Sequence, residues 1–358
     1  MNCLASQLTL RHFAKIFFIL VVSLSLTDNS AAKEKTANRI RIKAVGDIVP
    51  GTLYPEKRVP AHPYDDIFAP IQQYISGADI LFGNFESTLT DYPKTSKNTA
   101  SKHVFAFRTP PSTAAVLKKA GFHVLSTANN HSGDFGERGF NDTMENLKEA
   151  GIIGVGRKGQ VAYTRAQGKR VAFIAFSYFR KHNYIHDLDE MRALVKKARE
   201  NADIVVISCH WGGEGEKFLH TKRETEIFFG ENRGNLPLFA HAAIDAGADL
   251  ILGHGPHVVR ALELYKNRLI VYSLGNFIGY GALSSRGKTG LTLVLDIDLD
   301  NEGRFLGGKI HPMHMPEKSL PRHDPSGKTI ELMRSLTEKD FPNTKLEIGE
   351  SGVISISR

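Results

Sequence analysis

His254 and His257 are separated only by Gly255 and Pro256, and they follow the apolar run Leu250–Leu252. Pro256 blocks a helix, so both imidazoles are expected on a tight turn after a buried strand that breaks at Gly253. Open α/β sheets place ligand sites at such strand ends, and neutral imidazole is a common metal ligand. The same arrangement recurs along the chain. Asp47 follows Gly46, Asn84 and Glu86 follow Gly83, Asn130 and His131 follow Ala128-Asn129, and His210 precedes Trp211-Gly212. Carboxylate, amide oxygen and imidazole together suit a divalent transition metal such as Mn, Zn or Fe. Thiolate chemistry is not expected, because Cys209 is a lone candidate and its neighbour His210 is the better ligand. Taken singly, Asp47 or Asn84 could close a turn, and a lone His is more often structural than ligating. Their repetition at strand ends is what points to a shared site. His131 and Asp134 add an imidazole that a carboxylate could steer for acid–base work. Asp134 reads equally well as a helix N-terminal carboxylate.

The elements that must carry these residues alternate along the chain. Arg39–Val49 reads as a first strand ending at Gly46-Asp47, and Asp66–Ser76 has apolar residues at helical spacing. A second strand covers Ala78–Glu86. A short helix, Ser112–Ala120, is stopped by Gly121 and followed by a strand over Phe122–Thr127. A helix from Gly136 to Ala150 leads to a strand at Gly151–Arg157. Val161–Arg165 and Arg170–Ser177 form a hairpin through Gln167-Gly168. The helix Leu188–Asn201 precedes an apolar strand, Asp203–Ser208, that delivers His210. Residues 213–235 read as a long charged insertion, and Leu236–Ala246 is a helix leading into the histidine pair. Arg260–Glu263, Leu269–Ser273, Leu291–Leu299 and Phe305–Pro312 read as an antiparallel run. The polar tail holds a final helix near Lys328–Leu336. The order is that of an α/β protein.

Some features carry less. His182 and His186 precede their helix and read as surface residues. His311 and His314 lie past the motifs on a strand with no carboxylate expected nearby. Lys94, Lys97, Lys102 and Arg108 read as a solvated loop that could border the cleft, and Trp211 reads as core.

With 358 residues, 41% apolar content and 32 Gly, the chain is globular and loop-rich rather than disordered. A net charge of +8 favours anionic partners such as phosphates or polyanions. No nucleic-acid partner is expected. At the N-terminus, Arg11 and Lys15 precede the apolar run Ile16–Leu26, and Ser30 and Ala32 follow at the spacing of a cleavage site. Residues 1–32 therefore read as a secretory signal, with a retained anchor as the alternative. Residues 33–316 form the main domain and 317–358 a C-terminal extension. The mature chain would keep Cys209 alone and form no internal disulfide.

Gly46-Asp47, Gly83-Asn-Phe-Glu86, Ala128-Asn-Asn-His131 with Asp134, His210-Trp-Gly212, Gly253-His-Gly-Pro-His257 and Tyr272-Ser-Leu-Gly-Asn-Phe277 occur in order. In these motifs the chain resembles the CapA family, the capsule polyglutamate synthesis proteins of PgsA type within the calcineurin-like metallophosphatases. The resemblance runs from about Arg41 to Gly281. It implies a four-layer α/β/β/α sandwich with one or two divalent metal ions. It also implies Asp47, Glu86, Asn130, His210, His254 and His257 as ligands and His131 as the acid or oxyanion stabiliser. The chain departs from the metallophosphatase pattern at Val49, where a His is usual, at Glu86, which stands nearest the bridging carboxylate, and at Gly255. The expected function is an exported, periplasmic or envelope protein acting in synthesis, export or trimming of an anionic polymer, poly-gamma-glutamate by resemblance. Metal-dependent hydrolysis of a phosphoester or amide would be its chemistry. Two rivals stand beside it: an accessory protein that binds a polymer or a membrane-bound synthase without turnover, and a periplasmic phosphodiesterase or nucleotidase.

Overall fold

The computed structural model describes residues 39–60, 67–98, 104–316 and 319–357. The expected signal segment, residues 1–32, lies outside the described residues, as does Lys102. The longer elements begin with β1 (Arg39–Val49), α1 (Gln72–Ile75), β2 (Ile80–Phe85), α2 (Thr113–Ala120), β3 (Val124–Ser126), α3 (Gly136–Glu149) and β4 (Ile153–Val155). There follow β5 (Ala162–Ala166), β6 (Lys169–Ser177), α4 (Leu188–Arg199), β7 (Ile204–His210), β8 (Glu226–Phe228), β9 (Glu231–Gly234) and α5 (Leu236–Asp245). The chain continues through β10 (Leu250–His254), β11 (Leu262–Tyr265), β12 (Arg268–Val271), β13 (Asn276–Gly279), β14 (Leu291–Asp300) and β15 (Phe305–His314). It ends with α6 (Lys328–Asp340), β16 (Leu346–Ile348) and β17 (Val353–Ile356).

These strands form two large sheets. The first has the order β16-β17-β15-β14-β1-β2-β3-β4, with β13 added beside β1. The second has the order β11-β12-β10-β7-β6-β5. Side-chain alternation sets the layers. Ile40, Ile42, Ile80 and Phe82 of the first sheet pack against Phe173, Val206, Leu250 and Leu252 of the second. Phe82 and Phe173 stack across this seam with centroids 5.7 Å apart. The opposite face of the second sheet, through Val205, Ile207 and Ile251, is covered by Met191 and Val195 of α4 and Phe239 and Ala243 of α5. The outer face of the first sheet, through Leu81, Phe85 and Leu125, is covered by Leu117 of α2 and Leu147 of α3. The fold is thus an α/β/β/α sandwich. Its central parallel strands are buried on both faces, which explains why they read as continuous apolar runs. Each large side chain so removed from water contributes about 1.5–3 kcal/mol.

Three expectations are corrected. The strand before the histidine pair does not break at Gly253, because β10 runs through His254. The chain instead turns at Gly255, whose φ is +104°. Gly253 serves a different purpose: a Cβ there would meet the Tyr272 carbonyl oxygen at 2.2 Å. The antiparallel run after Arg260 is divided, since β11 and β12 join the second sheet while β14 and β15 join the first. β12 also runs parallel to β10. The helix read over Asp66–Ser76 is confined to a short 3-10 turn, Ala69–Ile71, and α1 among the described residues. Residues 319–357 continue the first sheet through β16 and β17, and α6 sends Ile330 and Met333 into the core between the sheets.

Candidate metal centre

The parallel strands of both sheets end on one side of the molecule. In the first sheet Asp47 lies level with Asn84 on β2 and with Asn276 on β13. In the second sheet His210 lies level with His254. The approach of β1 to the Ser273–Asn276 turn needs a glycine, because a Cβ on Gly46 would sit 2.0 Å from the Gly275 carbonyl oxygen. Asp47 N–H then donates to that same carbonyl at 2.9 Å, which fixes where its carboxylate points.

Asp47, Glu86 and His257 each bring a ligand atom to within 4.8 Å of the others. His210 Nε2 lies 3.7 Å from Glu86 Oε1, and His254 Nδ1 lies 3.7 Å from Asp47 Oδ1. His257 Nδ1 faces Asp47 Oδ2 at 3.1 Å and Asn276 Oδ1 at 2.9 Å. With Nδ1 so engaged, Nε2 is the ring nitrogen left to ligate, the usual division of labour in metal-binding histidines. It lies 3.9 Å from both Glu86 and Glu214. Asn84 donates to Asp47 Oδ1 at 2.8 Å and accepts from Asn129 at 3.1 Å, so it orients the carboxylate.

Whether these residues suit a cation can be tested on what they lack. Both oxygens of Glu86, both ring nitrogens of His254, His210 Nε2 and Asn130 Oδ1 are buried without a hydrogen-bond partner among the described residues. An unsatisfied buried polar atom costs roughly 1–3 kcal/mol, so a natural fold rarely gathers several. A divalent cation would satisfy carboxylate, amide oxygen and neutral imidazole together. The donor set fits.

Electrostatics agree with that fit. Burial pushes the His254 imidazole down to about 4 and also lowers His210, so both rings are neutral and free to ligate. Burial, and then the charge of Asp47, hold the Glu86 carboxyl well above the usual range. Burial opposes charge on His257 as well, but Glu86, Asp47 and Glu214 outweigh it and raise the ring to about 10. Burial would also raise Asp47, yet its hydrogen bond and charge contact with His257 hold it at about 2. The metal-free site is therefore rich in protons, which a bound cation would displace.

Beside this cluster, His131 Nδ1 is 2.8 Å from Asp134 Oδ2. Of the two readings of Asp134, the structure favours steering of the imidazole: Asp134 lies before α3, buried against His131, Lys97 Nζ at 2.6 Å and the Phe107 N–H at 2.6 Å. Burial lowers His131, against the pull of Asp134. His131, Asn130, His257, Glu214 and Lys97 line a common cleft of about 580 Å³.

Lys97 thus belongs to the site rather than to a solvated loop. Glu214 was hidden in the charged insertion, although its place four residues after His210 put it on the same turn. Asn276 sits in the quoted Tyr272–Phe277 motif, but its type alone gave no role. His182 is not a surface residue: it is buried between Ser132 Oγ at 2.9 Å and Ser177 Oγ at 2.7 Å. This contact ties the loop after His131 to the end of β6. His311 does meet a carboxylate, Asp296, at 3.2 Å, on the far strands β14 and β15. Trp211 is fully buried and donates to the Tyr272 carbonyl oxygen at 3.0 Å.

A family model for the bacterial capsule synthesis protein PGA_cap matches residues 41–280. The chain belongs to the PGA_cap family. It is 30% identical over 324 residues to the PGA biosynthesis protein CapA of Bacillus subtilis, covering 86% of this chain and 80% of that one. It is also 30% identical over 266 residues to the capsule biosynthesis protein CapA of Bacillus anthracis, covering 69% of this chain. The chain spans 61% of the length of the B. anthracis relative. Among solved structures, a 5'-nucleotidase precursor from Thermus thermophilus aligns over 83% of this chain and 58% of its own, with a TM-score of 0.42 and 14% identity. That likeness is too distant to bear on activity. Among the described residues, no helix is long and apolar enough to cross a membrane.

Proposed function

We propose that this PGA_cap protein is an exported, metal-dependent hydrolase that acts on a phosphoester or amide during synthesis, export or trimming of an anionic envelope polymer, poly-gamma-glutamate or a relative of it. The observation that carries the reading is the set of buried ligand atoms on Glu86, His210 and His254 beside Asp47 and His257, with Asn130 on the same cleft, that have no hydrogen-bond partner among the described residues. Those six residues would hold one or two divalent ions. Bound there, the cation supplies Lewis acidity and an activated water. The chain's own residues do the rest. Asn84 and Asn276 orient Asp47 and His257. Asp134, fixed by the Phe107 N–H, orients His131. From that position His131 gives a proton to the leaving group or a hydrogen bond to the developing oxyanion. Lys97 adds positive charge at the cleft, which favours an anionic substrate. A membrane-bound polymer synthase is the partner this role calls for.

One observation supports a second reading. Val49 stands where a metallophosphatase ligand His is usual, and its apolar side chain is fully buried. With one ligand fewer, the centre could support binding of a polymer or synthase without turnover. Hydrolysis of a generic phosphodiester by the purified protein, lost in Asp47→Ala and His210→Ala with folding intact, supports the hydrolase. Binding of polyglutamate without turnover of any ester or amide supports the accessory role instead.

A further inference from the structure

The loop from Asn129 to Asp134 serves two cavities. Asn130 and His131 line the cleft of the metal centre, and the next two residues, Ser132 and Gly133, line a separate cavity of about 380 Å³. Consecutive Cα atoms are about 3.8 Å apart, so the two spaces are neighbours. The loop between them is firmly held. Ser132 Oγ donates to the Asn129 carbonyl oxygen at 2.9 Å, and the Asn129 amide donates to Asn84 Oδ1 at 3.1 Å and to the Phe85 carbonyl oxygen at 2.8 Å.

Positive charge gathers at the second cavity. Its buried part is Ser132 and His182, with Oγ and Nε2 2.9 Å apart. Arg157, Lys158 and Lys181 also line it and are exposed. Arg157 lies 5.3 Å from the Phe140 ring centre and bonds Asn141 Oδ1 at 2.8 Å, and the Phe140 and His182 rings are 6.3 Å apart. Lys181 Nζ reaches over Gly133, 3.6 Å from where a Cβ on that residue would sit. Neither Arg157 nor Lys181 has an ion pair among the described residues, and Lys158 meets Glu190 at 3.8 Å. Cations brought together with so little counter-charge repel one another, and an anion among them relieves the repulsion. Helix α3 adds to this field. Gly136 and Glu137 of its first turn line the cavity, and the helix begins without a side-chain cap, so its positive end lies there too. The Glu137 carboxylate is outnumbered by the three cations.

We infer that this cavity is a second anion subsite, which takes a carboxylate of the polymer chain while a neighbouring unit occupies the metal centre. The inference rests on the proposed function, because it needs a polymer with a charge on every unit. It deepens that reading: the chain straddles the loop at His131 and Ser132, and a substrate of several units is preferred over a single one. A volume of about 380 Å³ is within the range of ordinary ligand pockets.

The test measures binding of fluorescein-labelled hexa-γ-glutamate to the purified protein with Mn(II), by anisotropy on mixing and before turnover. The parent should bind it. Arg157→Gln with Lys181→Gln should weaken binding by about tenfold, roughly what two exposed ion pairs contribute. Both side chains are exposed, so this variant should fold as the parent does. Lys328→Gln with Lys339→Gln removes two exposed charges from α6, outside the cavity, and should weaken binding by about twofold at most. Equal losses in the two double variants overturn the subsite, because overall charge then accounts for the attraction. Unchanged affinity in the Arg157 and Lys181 variant also overturns the subsite and leaves the polymer reading standing. A parent that does not bind the hexamer overturns the polymer reading and the subsite with it.

Discussion

Replacing Glu86 with leucine should stabilise the metal-free protein while removing its response to divalent cations. Glu86 is fully buried, and neither carboxylate oxygen has a hydrogen-bond partner among the described residues. The nearest ring nitrogens lie 3.7 Å away on His210 and 3.9 Å away on His257. An ionised Glu86 would gain about 4 kcal/mol from a charged His257 at an effective dielectric of ~20. Burial and the charge of Asp47 raise the carboxyl well above its usual range, so most of that attraction is offset. What remains is the penalty of unpaired polar atoms, about 1–3 kcal/mol, which leucine abolishes at similar length. Urea denaturation in a chelator, followed by the fluorescence of the single Trp, should show a gain of that size. With Mn(II) at about a hundred times its dissociation constant, the parent should gain a further ~2.7 kcal/mol and the variant nothing. Loss of stability in chelator would refute this reasoning, since Glu86 would then be making native interactions. Cation stabilisation retained by the variant would refute it equally.

Two other perturbations probe the frame around the site. Burial, and then the charge of Lys181, depress the His182 imidazole to about 4. Its unfolded value is about 6.5, so the unfolded chain binds the extra proton between these limits. The stability this neutral ring contributes is complete above about pH 6.5 and is lost as pH falls to about 4, by roughly 3 kcal/mol. His182→Gln should flatten that limb of the stability profile, and an unchanged limb counts against the buried Ser132–His182–Ser177 contact. Arg260, fully buried, makes two bonds to Glu226 at 2.7 and 3.0 Å. Arg260→Met should cost about 3–5 kcal/mol by stranding the Glu226 carboxylate, and Arg260→Met with Glu226→Leu should recover most of it in the same denaturation assay. A double variant as unstable as the single one would mean that packing around Arg260, not charge, holds the β8–β9 hairpin.

Much of this site was legible because its residues follow apolar runs directly. A buried parallel strand announces itself by composition, and the polar residue after its last apolar one has a single end of the sheet to occupy. That logic pointed to Asp47, Glu86, Asn130, His210, His254 and His257; the structure brings five of them within 3.9 Å of a neighbour in the set and places Asn130 on the lining of the same cleft. It did not reach Lys97 or Glu214, which come from loops where charge is common and gives no direction. Nor did it reach the buried state of His182, since a histidine beside lysine and asparagine reads as solvent-facing until Ser132 and Ser177 are seen to flank it. The division of β11, β12, β14 and β15 between two sheets was illegible for another reason. Alternation shows that a strand has two faces, but not which partner it pairs with. Gly253 shows the same limit, because a glycine required by close approach of the Tyr272 backbone looks in sequence like one that ends a strand.

The most direct measurement is the metal content of the purified protein beside His254→Ala. A metal centre predicts near-stoichiometric divalent metal in the parent and a marked fall in the variant, whose lost ring nitrogens have no hydrogen-bond partner among the described residues. Substoichiometric metal that the substitution leaves unchanged would contradict the metal centre, and the hydrolase with it.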